Sequence, residues 1–333
     1  MADETGRAAR GWLAGGLTAA GTLGALAFYN VLADLAAGEP HSALDGDTGQ
    51  FSWAHGDIFY VVKGQGEPLV LVHGVYAGAS SYEFRRVFDA LARRFRVFAF
   101  DLLGFGLSDR PPLVYTPVLY EDLIEDFVRQ VVGGMDHPVN VIASSLGAAF
   151  TIRAAADRPG LFNRLALVEP TGMENLANAR ETPARRIGRV VLRSPIVGQA
   201  IYNAIASRPS IRYFLKAQIY SDGQRVSDDM VDYYYTMAHQ PGGRYAPASF
   251  ISGTLNTPVA SVYPLLKQPI LLCWGKDARF TPLENARAFR QANSRAELRV
   301  FDCGGLPQDE TPEEFAREVG EWLAAGKTQP SRG

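Results

Sequence analysis

The chain has 333 residues, 47% of them hydrophobic, with a formal net charge of −2 and a pI near 6.2. That is enough for one large core or two modest ones. No run of like charge stands out, so nothing marks nucleic acid or an acidic polymer as a partner. The two cysteines, Cys273 and Cys303, lack metal-ligand spacing and are too few for a disulfide scaffold. Buried free thiols are expected, with no metal and no cofactor.

After a tail of residues 1–10, the stretch Gly11 to Ala33 carries no charge. At about 1.5 Å per residue it suits one membrane-spanning helix, and residues 11–33 are read as a signal anchor. Two alternatives stay open. Ala25-Leu26-Ala27 resembles a signal-peptide cleavage site, and a soluble or interfacial helix is the third reading. Gly16, Ala20 and Gly24 form a small-residue stripe of the kind that packs helices in lipid. Arg7 and Arg10 precede the segment and the next cation is Lys63, so the positive-inside rule sends the main domain across the membrane. The expected protein is membrane-associated with an extracytoplasmic domain. Residues 34–50 read as a polar linker.

From Phe51 onward strands and helices alternate. Asp57–Lys63, Pro68–His73, Arg96–Asp101, Val139–Ala143 and Arg164–Glu169 read as strands, and PLVLVH is apolar throughout, as for a strand covered on both faces. Helices are expected at Tyr82–Phe95, Tyr120–Val132 and Leu146–Ala156. Residues 171–267 break the alternation with helical periodicity and several prolines. The arginines at 185, 186, 189 and 193 there read as a solvated helix face. Strands at Pro269–Trp274 and Glu297–Asp302 follow, with helices from Leu283 and over Pro312–Ala324. The pattern predicts an α/β fold: a mostly parallel sheet (51–170 and 268–325), helices on both faces, a helical insertion (171–267), and a tail at 326–333.

The run Val139 to Ala148 carries the chemistry. A strand leads into Ala143-Ser144-Ser145-Leu146-Gly147 and then a helix. A serine on so sharp a turn needs small neighbours on either side, met by Ala143 and Gly147, and the helix N-terminus aims N–H groups at developing negative charge. Ser145 is therefore the candidate nucleophile. His73-Gly74-Val75 closes an earlier strand, and the Val75 and Leu146 N–H groups are the candidate oxyanion donors. His73, Gly74, Tyr76 and Ser144 are the candidate substrate-binding residues. Asp101 to Pro111 reads D-x-x-G-x-G-x-S-D-x-P.

These motifs resemble the capped branch of the α/β-hydrolase superfamily, with its esterases, C–C hydrolases, epoxide hydrolases and haloalkane dehalogenases. The resemblance covers about Phe51 to Ala325. It implies the α/β-hydrolase fold with a helical cap after the sixth strand, and serine at 145 implies acyl chemistry. The family's W-G-x-x-D-x-x-x-P run places its acid where this sequence has Ala278, with Asp277 one residue early; Glu169, ending the sixth strand, is the other candidate acid. The family's G-H-x-P run places its base where this sequence has Gly305. Of the remaining histidines only His239, in the cap, is placed to hang over the pocket, and it is the candidate base. A serine hydroxyl without a base is a poor nucleophile. Two readings follow: a serine hydrolase of small or lipophilic esters with an atypical triad, or a catalytically silent member. The silent member would bind an apolar ligand or partner beneath a cap bearing Tyr202, Tyr213, Phe214, Tyr220 and Tyr233 to Tyr235.

Overall fold

The computed structural model describes residues 20–134, 137–173 and 182–325. Eight strands form one sheet: β1 (Asp47–Trp53), β2 (Gly56–Lys63), β3 (Pro68–Val72), β4 (Arg96–Phe100), β5 (Val139–Ser144), β6 (Phe162–Val168), β7 (Ile270–Gly275) and β8 (Glu297–Phe301). Their spatial order is β1-β2-β4-β3-β5-β6-β7-β8. The β1/β2 and β2/β4 pairs are antiparallel and the rest are parallel. The helices are α1 (20–35), α2 (Phe88–Ala92), α3 (Pro117–Phe127), α4 (Ser145–Asp157), α5 (Pro183–Arg193), α6 (Val197–Ile205), α7 (Arg208–Phe214), α8 (Asp228–Ala238), α9 (Tyr245–Ile251), α10 (Ala286–Ala292), α11 (Pro307–Glu310) and α12 (Pro312–Ala324).

Side chains alternate across the sheet, as the period of two requires. Val70, Val72, Phe98, Phe100, Val141, Ala143, Leu165 and Leu167 face α3 and α4 through Leu123, Ile124, Phe127 and Phe150. Leu69, Leu71, Val97, Ala99, Ile142, Ala166 and Val168 face α2 and α12 through Phe88, Leu91, Phe315 and Val319. Each buried large apolar side chain contributes about 1.5–3 kcal/mol. Cys273 and Cys303 are free thiols in the second layer. β1 was not foreseen in the sequence, because an edge strand with few buried residues carries no apolar pattern.

The cap, α5 to α9, follows β6. Its last π-turn and the segment behind it, Ile219 to Arg225, are tied to the loop after β8. Ser221 N–H donates to Glu310 Oε2 at 2.9 Å, the Tyr220 hydroxyl donates to Asp309, and Arg85 pairs with Asp309 at 2.9 Å. The arginine face of α5 is only partly solvated: Arg186 is exposed as expected, whereas Arg185, Arg189 and Arg193 are half-buried. Arg189 bonds Thr254 and Arg193 bonds the carbonyl oxygens of Pro112 and Leu113, while Ile187 and Val190 are each 64% exposed. Loop acceptors draw the guanidinium groups inward, turning the apolar side out.

The expected membrane segment is corrected. Residues 11–19 lie outside the described residues, and among the described residues no helix is long and apolar enough to cross a membrane. α1 instead docks on the cap through polar contacts. The Asn30 amide donates to Ile196 O at 3.0 Å and its oxygen accepts from Asn203 at 3.1 Å, while the Tyr235 hydroxyl donates to Ala33 O at 3.1 Å. The membrane-associated localisation and the extracytoplasmic orientation drawn from this segment fall with it.

α4 leaves β5 so closely that a Cβ at Gly147 would lie 2.2 Å from the His73 carbonyl oxygen, whereas one at Gly160 would meet nothing within 4 Å. Gly147→Ala should cost about 1–3 kcal/mol in denaturant unfolding, and Gly160→Ala should stay within about 0.5 kcal/mol of the native chain. Equal midpoints for the two variants would contradict this close approach.

Candidate active site

Ser145 and Glu169 are the two non-glycine residues at positive φ among the described residues, at 51° and 43°. Holding a non-glycine residue there costs on the order of 1–3 kcal/mol and is characteristic of sites where geometry serves chemistry. Both stand one residue beyond the ends of neighbouring parallel strands, since Ser144 pairs with Val168. The two positions are therefore separated by about one strand spacing, roughly 4.8 Å. Ser145 is half-buried while Ser144 and Leu146 beside it are buried, so the turn lifts the nucleophile candidate out of its surroundings.

Leu146 N–H belongs to the first turn of α4, where no helical carbonyl stands four residues behind it. Val75 follows the Gly74 turn, and its N–H has no acceptor among the described residues. A Cβ built on Gly74 would lie 3.3 Å from Ser145 Cβ, 3.4 Å from Glu83 Oε2 and 3.6 Å from Tyr76 Cε1. The His73–Tyr76 turn and the serine thus share one wall.

His73 is corrected from a binding residue to a structural one. It is fully buried, its Nε2 accepts the Leu102 N–H at 2.9 Å, and Nδ1 therefore carries the proton donated to Gly74 O at 2.6 Å. Burial lowers its pKa and keeps the ring neutral. Ser144 is also buried. Tyr76 is half-buried, with its hydroxyl 3.4 Å from both Glu83 Oε2 and the Tyr234 hydroxyl.

Of the two candidate acids, Glu169 is the one beside Ser145. It is 4% exposed, and its Oε1 accepts the Gly275 N–H at 3.1 Å. Its Oε2 has no donor among the described residues. A Cβ at Gly305 would stand 3.4 Å from that oxygen. The carboxylate therefore faces the position from which a histidine is missing. Asp277 is exposed, with its N–H on Cys303 O, while Ala278 beside it is buried. The structure does not bring Asp277 to the serine. Nor does it bring His239, whose ring stacks on Tyr235 at 3.8 Å and bonds Tyr235 O through Nδ1, inside the cap.

Glu83 escaped the sequence reading. Ser80-Ser81-Tyr82-Glu83 has the spacing of a helix capping box, which disguises it. Instead of turning back to Ser80, the carboxylate is buried behind the elbow, accepting Gly74 N–H at 3.0 Å and Gln308 Nε2 at 2.7 Å. The cap tyrosines Tyr202, Tyr220 and Tyr233 to Tyr235 are buried in cap packing, whereas Tyr213 is 70% exposed.

Burial raises the Glu169 carboxyl well above the ordinary range; the Gly275 hydrogen bond opposes this, and the nearby charges of Glu310 and Glu83 add to it. Burial raises Glu83 likewise. A folded-state pKa above the unfolded value of about 4.3 gives stability that is full below that value and lost as pH rises through the raised one. Glu169→Gln should therefore raise the Tm at pH 8 and do so less at pH 5; an equal shift at both would contradict the assignment.

Comparison with known proteins agrees with this geometry. The alpha/beta hydrolase family matches residues 69–318. A 2-hydroxy-6-oxo-6-(2'-aminophenyl)hexa-2,4-dienoic acid hydrolase of Metapseudomonas resinovorans is 27% identical over 273 residues, covering 80% of this chain and 87% of that protein. A 2-hydroxy-6-oxo-2,4-heptadienoate hydrolase of Pseudomonas putida is 27% identical over 275 residues, covering 79% and 91%. Among solved structures, a serine hydrolase involved in carbazole degradation superposes with a TM-score of 0.70 at 25% identity, covering 84% of this chain and all of that one. With more than half its length matched and this sheet order, the chain belongs to the alpha/beta hydrolase family.

Proposed function

We propose that the protein is an acyl hydrolase acting on small or lipophilic esters through Ser145. The Val75 and Leu146 N–H groups hold the developing oxyanion and Glu169 serves as the acid. The observation that carries this reading is the left-handed backbone of Ser145, φ 51°, at the junction of a buried strand and a helix N-terminus. Nothing in ordinary packing requires a serine to be held there, and the N–H groups around it match what a tetrahedral intermediate needs. The named relatives hydrolyse oxo-dienoic acids, so they too act on carbonyl compounds.

Gly305 sets the expected speed. In serine enzymes, loss of the base costs roughly six orders of magnitude in turnover. What remains, about 10³–10⁴ over water, comes from oxyanion stabilisation and binding. The same glycine favours the second reading, in which the chain binds an apolar ligand under the cap without turning it over.

A fluorophosphonate probe should leave its adduct on Ser145, and hydrolysis of p-nitrophenyl esters should exceed that of Ser145→Ala. No adduct together with rates equal to the variant would leave only the binding reading.

A further inference from the structure

Three buried carboxylates, Glu83, Glu169 and Glu310, lie close enough for the first and last to act on Glu169. None of them pairs with a lysine or arginine among the described residues; the nearby ion pair is taken by Asp309 and Arg85. Glu310 is satisfied by Gly304 N–H at 2.8 Å and by Ser221, and Glu83 by Gly74, Gln308 and Tyr76. Glu169 differs. It is more than nine-tenths buried, its Oε2 has no donor among the described residues, and that oxygen would stand 3.4 Å from a Cβ at residue 305.

Residue 305 itself leaves room. Its φ is not positive, and the atoms nearest a Cβ there would be Glu169 Oε2 and Ile219 O at 3.4 Å and Ile219 Cα at 3.8 Å, all ordinary contacts. Residue 304 is different, because its Cβ would collide with Ile219 O at 2.3 Å. The Ile219 backbone therefore demands glycine at 304 and leaves room for a Cβ at 305. Ser145 stands beside this space through the β5/β6 register.

We propose that the space bounded by Glu169, Gly305 and Ser145 is a seat for a basic nitrogen that the chain does not itself provide. The nitrogen is either free, of imidazole type, or an amine carried by the ester substrate, and it accepts the Ser145 proton. The inference rests on the acyl-hydrolase reading and defines its substrate class. The step balances. The nitrogen lone pair takes the Oγ proton as Oγ bonds to the acyl carbon, and the carbonyl π pair moves to oxygen under the Val75 and Leu146 N–H groups. Collapse expels the alcohol, which takes the proton from the nitrogen. Water then attacks the acyl-serine, giving its proton to the nitrogen in the seat, which is the free base or the amine of the expelled alcohol still held there, and that nitrogen returns the proton to Oγ as the acid leaves. The cation formed at the nitrogen favours the ionised Glu169 that burial alone opposes, and the two charges together hold the protonated base.

The test has two arms, each read against Ser145→Ala. In the first, p-nitrophenyl acetate hydrolysis is followed with rising imidazole. In the second, without imidazole, a dimethylaminoethyl ester is compared with its 3-methylbutyl carbon isostere. A free base predicts a Ser145-dependent gain that saturates, up to roughly a hundredfold, the lower range of what a positioned acid–base group supplies. A substrate-borne base predicts a similar preference for the amine ester. Either gain should vanish in Glu169→Gln and in Gly305→Val, which fills the seat. Imidazole should also raise the Tm of the native chain and not that of Gly305→Val. No gain in either arm, a gain linear in imidazole, or one unchanged in Gly305→Val overturns the seat. A fluorophosphonate adduct with no gain removes the seat alone, whereas no adduct with or without imidazole removes the acyl-hydrolase reading with it.

Discussion

α4 can begin where it does only because residue 147 has no side chain: its Cα rests on the His73 carbonyl. That contact fixes three things together. It locks the His73–Tyr76 turn against the elbow, it forces Ser145 into the left-handed region, and it leaves the first amide of α4 facing outward. His73, neutral and bonded through both nitrogens, braces the same turn from behind by joining it to Leu102. The strain at Ser145 persists because β5 is buried along its whole length and cannot shift to relieve it.

The second strained residue follows from the first by register. β6 runs parallel to β5 and ends level with it, so Glu169 emerges beside Ser145. β7 then supplies the Gly275 N–H that holds one carboxylate oxygen, leaving the other aimed at residue 305. Where a histidine would close the chain of hydrogen bonds, the loop after β8 serves the cap instead. Gly304 lets the Ile219 backbone approach, Gly305 N–H bonds Ile219 O at 2.6 Å, and Asp309 and Glu310 hold Tyr220 and Ser221. The acidic side of the site is thus built and buried while its cationic counterpart is missing.

Much of this was legible in the residues. PLVLVH and VNVIAS announce strands covered on both faces, and the small residues at 143 and 147 announce the elbow. Counting from Trp274 and Pro282 to position 278 separated an inward residue from an outward one, and Ala278 is indeed buried while Asp277 is exposed. Choosing between Glu169 and Asp277 was beyond the sequence, because both follow core strands and only the pairing of β6 with β5 sets Glu169 next to Ser145. Glu83 was hidden by a capping-box spacing, and β1 by its exposed edge. The uncharged N-terminal stretch misled because absence of charge was read as affinity for lipid, whereas Asn30 and the backbone of residue 33 bond to the cap.

The central claim is that nucleophile, oxyanion donors and acid are in working positions and that only the base is absent. Gly305→His tests it most directly, since the backbone at 305 is not left-handed and a Cβ there meets no atom closer than 3.4 Å. The claim predicts a rise in kcat/KM for ester hydrolysis of at least roughly a hundredfold. The gain should grow as pH passes through about 6.5 and should be lost when Ser145→Ala or Glu169→Gln is added. A variant that folds with the native circular dichroism and Tm yet gains nothing would contradict it.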